Sequence, residues 1–226
     1  MQELVLTAHA HVQPITLIVG LAIAYSPSYV VPLMNVLRLP RRPQGERQGF
    51  DFILWYKPAA ALTLMAFVVF VERRPLASIG LRYPTLRHLA LVLVTVVVTD
   101  ACAAVLSTAV GATGAGGPFL AGLSFRRRLL LLLTVAFSEE VIYRGYVVER
   151  LSEWTGSLVF AAAASFVIFT AIHLSFFGTK TTVTVTAVFG LSLTIVYPLT
   201  RDLPACMVLH ALLDLPILSR TVLTRV

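Results

Sequence analysis

Apolar residues in this chain fall in long unbroken runs, not in the strict alternation of a sheet or the one-sided stripe of a water-soluble helix. Runs of about 20 residues, the length a helix needs to cross hydrocarbon, recur from one end to the other. The first covers 12–37 and contains Pro14, Pro27 and Pro32, so a kink or break is expected around the Tyr-Ser-Pro-Ser-Tyr stretch ending at Tyr29. The second covers 52–71. The third covers 88–110 and follows a connection with Pro75 and Pro84 that has room for a short interfacial helix. Four more are expected at 126–153, 158–173, 182–197 and 205–218. Thr and Val alternate from Thr181 to Thr186 with strand-like period, yet a lone strand cannot satisfy its backbone in lipid, so a helix is expected there too. The fold class is therefore all-α: a polytopic membrane helix bundle of about 7 (6–8) transmembrane helices, forming one domain over 1–226. No internal repeat is evident.

Composition sharpens this picture. Hydrophobic residues make up 58% of the chain and charged ones 13%, with a mean hydropathy of +0.85. No Lys or Arg precedes the first apolar run, the first being Arg38, so no cleavable signal is expected and the first helix directs insertion. The net charge of +7 sits mainly in connections, with Arg38, Arg41, Arg42 and Arg47 in one and Arg73, Arg74, Arg82 and Arg87 in the next. Anchoring at the membrane surface accounts for these, and nucleic acid is excluded as a partner. Both connections being basic, the positive-inside rule assigns no orientation. Arg outnumbers Lys sixteen to two, a codon-level sign of a GC-rich prokaryotic genome, and the expected location is a prokaryotic plasma membrane. Cys102 and Cys206 lie in apolar segments without Cys-x-x-Cys spacing and are expected to be small buried hydrophobes. The glycine-rich stretch 111–122 lacks a Gly-Lys-Ser/Thr ending, which excludes a phosphate loop.

Ionisable groups at membrane depth are costly, so those inside the later apolar runs mark a functional site by default. Glu140 and Arg144 are four apart and can pair on one helix face, while Glu139, about 100° around, faces elsewhere. That leaves Glu139 as a carboxylate in a low-dielectric cavity, where desolvation would raise its pKa toward neutrality, as a general base requires. Both glutamates can equally be structural, paired with Arg144 and Arg150. Phe169 lies one turn before His173 and can orient its imidazole by packing, though a histidine at a helix end, taken singly, is more often a simple cap or interface residue. His210 and Asp214 form another four-residue pair, in which the carboxylate would fix the imidazole tautomer. Each pair has a structural explanation; three pairs on three separate helices favour chemistry.

The order Glu-Glu-x-x-x-Arg, Phe-x-x-x-His and His-x-x-x-Asn/Asp, here Glu139-Glu140…Arg144-Gly145, Phe169…His173 and His210…Asp214, resembles the CAAX-protease and bacteriocin-processing family of intramembrane endopeptidases, which includes the type II CAAX prenyl endopeptidases. Gly190 and the Thr200-Arg-Asp-Leu-Pro-Ala lead into His210 are similar as well. The resemblance covers about 129–217. It departs from the family at Tyr143, where Phe is common, and at Asp214, where the best-known members carry Asn. It implies peptide-bond hydrolysis by a water activated between Glu139 and His173, with Glu140, His210 and Asp214 completing the catalytic set and Arg144 and Phe169 in support. No cofactor is required on that reading. The implied partners are a peptide or membrane-protein substrate and the lipid bilayer.

Rival readings use the same residues. Glu139, His173 and His210 could be three zinc ligands with an open position for water, although His-Glu-x-x-His is absent. Ser138 lacks a Gly-x-Ser-x-Gly setting for a serine mechanism. A transporter or proton channel would also bury acids, Asp100 among them, but should show repeated halves. A catalytically silent, bacteriocin-immunity type of membrane protein is the remaining alternative.

Overall fold

The computed structural model describes residues 13–36, 46–111, 122–174, 180 and 182–218. Among them all regular structure is helical, with seven principal helices in succession. We label them α1 (Pro14–Val36); α2 (46–71), in which Glu46–Ala66 runs into a π-helical turn at Phe67–Val71; α3 (Leu86–Val110); α4 (125–155); α5 (Leu158–Leu174); α6 (182–200), in which a π-helical turn at Thr182–Thr186 leads into Ala187–Thr200; and α7 (Leu203–Leu213). Short 3₁₀ turns at Leu76–Ile79 and Leu215–Leu218 follow α2 and α7. The period-two Thr/Val stretch is thus helical at Thr182–Thr186, as lipid requires. The first helix is not split, but runs through Pro27 and Pro32. The glycine-rich turn, apart from Gly111 and Gly122, and the cluster Arg38, Arg41 and Arg42 lie outside the described residues.

Local signals explain the ends. Thr85 Oγ1 accepts from His88 N (3.2 Å) to cap α3, which stops at Gly111 in the left-handed region, φ 59°. Asp202 Oδ1 accepts from Ala205 N (3.0 Å) to cap α7, with Pro204 in the first turn, where its missing N–H is no loss. Leu203 N donates to Gly80 O (2.8 Å), fastening the start of α7 to the connection between α2 and α3.

α4 is the central element. Its first part, Phe125–Glu139, is α-helical; its middle, Glu140–Val148, is π-helical and buried at every position; Glu149–Thr155 returns to α-helix. α1, α2, α5 and α7 surround that middle. The outer faces of the surrounding helices are as apolar as the inner ones: Phe70, Val97, Leu133, Val159, Val167 and Leu199 are all exposed. A helix in water turns polar residues outward, so this surface suits hydrocarbon. Among the described residues, two helices are long and apolar enough to cross a membrane, Leu54–Val71 and Leu86–Val110. Cys206 is buried as expected, whereas Cys102 is exposed on α3, because that helix offers only a narrow inner face. Asp100 is likewise exposed on α3.

Candidate active site

Every residue singled out from the three motifs sits in one cluster in the bundle. α4 supplies Glu139, Glu140 and Arg144, α5 supplies Phe169 and His173, and α7 supplies His210 with Asp214 as its C-terminal cap. Glu139 is only 1% exposed. Its Oε1 lies 3.9 Å from His173 Nε2 and its Oε2 lies 4.0 Å from His210 Nε2, so each carboxylate oxygen faces a different imidazole. A water can bridge gaps of that size.

The tautomer of His173 follows from its other contact. Its Nδ1 is 2.7 Å from Phe169 O, and a carbonyl only accepts, so Nδ1 carries the proton and Nε2 turns toward Glu139. Phe169 fixes the same ring by packing, with centroids 4.4 Å apart. It is itself held by Tyr143, edge-on at 5.1 Å, and by the Arg144 guanidinium, 4.7 Å over its face. Arg144 Nη1 donates to Glu140 Oε1 (2.9 Å) and Nη2 to Gly190 O (3.2 Å). Gly190 has to be small: a Cβ there would stand 3.1 Å from the Phe169 ring. Gly145 is under the same constraint, since a Cβ would lie 3.2 Å from Ile79 O.

Two expected roles change. Glu140 pairs with Arg144 as expected, but it also accepts from His210 Nδ1 at 2.8 Å. Asp214, expected to grip the imidazole, stands 3.5 Å from Nε2, the nitrogen that faces Glu139. The closer hold on His210 therefore comes from Glu140, across 70 positions of sequence. Glu139 was expected to stand without a countercharge. Instead Lys57 Nζ, from α2, donates to its Oε1. The signal for Lys57 was available, a lone cation inside an apolar run, but no spacing rule connects 57 to 139. The alternative pairing of the glutamates with Arg150 is not seen: Arg150 bonds Glu72 (2.6 Å) and Glu153 (3.3 Å) at the far end of α4.

Some capacity is left over. Among the described residues, Glu139 Oε2, Glu140 Oε2 and the Ser138 and Thr170 hydroxyls are buried without a hydrogen-bond partner. Buried carboxylate oxygens are costly unless something else, water or substrate, comes to meet them. Among the described residues no three His, Cys, Asp or Glu side chains are gathered as a metal-binding group. The donor types at Glu139, His173 and His210 suit zinc, but the Lys57 ammonium sits on the carboxylate oxygen that faces His173. The arrangement therefore does not fit the metal.

A family model described as type II CAAX prenyl endopeptidase Rce1-like matches residues 121–216. That stretch contains all three motifs, and the family resemblance read from their order holds over it; Lys57 lies outside it. No curated protein and no solved structure matches the chain.

Proposed function

We propose that this chain is an intramembrane endopeptidase of the CAAX-protease type, a polytopic helix bundle that hydrolyses a peptide bond with a water activated by Glu139 and His173. The observation that carries this reading is the flanking of one buried carboxylate by two imidazoles, at 3.9 and 4.0 Å, with Glu139 Oε2 unpartnered among the described residues. Glu139 takes the proton as the water attacks. His173, with its ring proton on Nδ1 and Nε2 turned toward Glu139, orients that water. His210, with a carboxylate near each nitrogen, donates from Nε2 to the oxygen of the scissile carbonyl as it gains charge. Glu139 then returns the proton to the leaving nitrogen. Glu140 orients His210, and Arg144 holds Glu140. The substrate is a peptide or the tail of a membrane protein, reached within a prokaryotic plasma membrane.

Two measurements test the reading. Comparing the membrane proteomes of cells with and without the protein should reveal new termini that vanish when Glu139→Gln replaces the native chain; identical termini in the two strains would refute the protease assignment. Elemental analysis of purified protein should find no stoichiometric zinc. One zinc per chain, lost together with activity in His173→Ala, would move the mechanism to metal-activated water.

A further inference from the structure

α2 carries one charge that its apolar surroundings do not explain. Lys57 is one of two lysines in the chain and lies within the apolar span Leu54–Val71, where a cation needs a reason to be. Its ammonium contacts Glu139 Oε1, the oxygen that also faces His173. The Lys57 side chain keeps 22% of its surface exposed and that of Glu139 only 2%. No motif on α4, α5 or α7 includes it, and it lies outside the stretch that matches the family.

We propose that Lys57 is a positioning residue for hydrolysis, holding Glu139 as a carboxylate aimed at the water and keeping the site electrically neutral at each step. The inference rests on the function proposed above. In the resting site, Glu139 and Lys57 sum to zero charge. On attack, a water O–H bond breaks and its proton goes to Glu139, while the water oxygen forms a bond to the carbonyl carbon and the π pair moves to the carbonyl oxygen. Glu139 is then neutral, the substrate oxygen carries the negative charge and Lys57 still balances it. On collapse, the carbonyl re-forms, the C–N bond breaks and the proton on Glu139 passes to the leaving nitrogen, giving an acid and an amine. Negative charge moves from one oxygen to another beside a fixed cation. Without Lys57, the same movement would begin from an uncompensated carboxylate in a dry interior, which is costly.

The test uses the full chain in lipid nanodiscs with a quenched fluorescent, farnesylated CAAX peptide, measuring kcat, KM and thermal midpoint. Lys57→Met should lower kcat by about 10²-fold, the scale of removing one preorganised electrostatic partner. KM should change little, because the loss falls on the chemical step. Adding Lys57→Met to Glu139→Gln should cost nothing further, as expected for groups that act together. Lys57→Arg, which keeps the charge and guards against a Met variant that does not fold, should stay within about tenfold of the native kcat, the equivalent of 1.4 kcal/mol. A folded Lys57→Met chain with native kcat, or an Arg variant as slow as Glu139→Gln, overturns the role of Lys57 and leaves the protease reading standing. Full cleavage by Glu139→Gln, or a native chain that cuts neither this peptide nor any protein in the proteome comparison, overturns the protease reading itself.

Discussion

α4 passes through two clusters of charge, and they are finished to different degrees. At its C-terminal end each carboxylate oxygen has a partner. Glu72 accepts from Tyr146 (3.0 Å) and Arg150 (2.8 Å), Glu153 from Arg74 (2.6 Å) and Arg150 (3.3 Å), and Glu149 from Tyr197 (2.5 Å) and Arg201. Asp202 accepts from the Ala205 amide on one oxygen and faces His88 Nδ1 at 2.8 Å on the other. In the middle of α4, Glu139 and Glu140 each keep one buried oxygen with no hydrogen bond among the described residues. A saturated cluster ties helix ends together and has nothing left to bind. An unsaturated one holds capacity for a molecule that is not part of the chain. By that criterion the first cluster is architecture and the second is the candidate site for the proposed chemistry.

The sharpest way to break this contrast is to alter one member of each cluster and read activity and stability separately. Glu139→Gln should lower turnover by about 10⁴-fold, the upper range of general acid–base catalysis, while the thermal midpoint in nanodiscs moves little. Retained cleavage would place the base elsewhere. Arg150→Ala should do the reverse. It strands buried Glu72, so a loss of about 3–5 kcal/mol in stability is expected, with the folded fraction still turning over at the native rate. A stable Arg150→Ala protein with impaired kcat would erase the distinction between the clusters. His210→Ala removes the proposed oxyanion donor and should cost about 10²–10³-fold in kcat at near-native stability. The smallest effect is expected at Asp214, which is 3.5 Å from an imidazole already held by Glu140. Asp214→Asn should keep activity within about tenfold, the scale of one neutral hydrogen bond. If it proved as inactive as Glu139→Gln, Asp214 would have to act as an ionised group.

Much of the architecture was legible because it depends on local sequence. Apolar runs located α2 to α6 to within a few residues at most ends, and the start of α2, at Glu46, extends beyond the apolar run. The four-residue spacing of Glu140 and Arg144 gave a real ion pair (2.9 Å), and Phe169 does pack on His173. What local spacing does not encode is which helices become neighbours. Lys57 on Glu139, Glu140 on His210 and Arg150 on Glu72 join positions 82, 70 and 78 residues apart, and each depends on the packing of the whole bundle. The roles given to Glu139 and Asp214 shifted for that reason alone. The π-helical middle of α4 was not legible either, since its wider turn satisfies burial on all sides, which no periodicity in Glu140–Val148 announces.

That wider turn has a mechanical consequence. Each residue of an α-helix advances the chain by about 100° around its axis. Glu139 lies just before Glu140–Val148 and Arg150 just after it, so the π segment sets the angular phase between two keyed ends of a single shaft. Deleting any one residue within 140–148 would turn one end by roughly a quarter of a turn relative to the other. Either Arg150 would leave Glu72, or Glu139 would swing away from His173 and His210. The count of residues in that segment is therefore fixed as firmly as the identity of the side chains it separates, and a deletion there should be far less tolerable than a substitution at the same position.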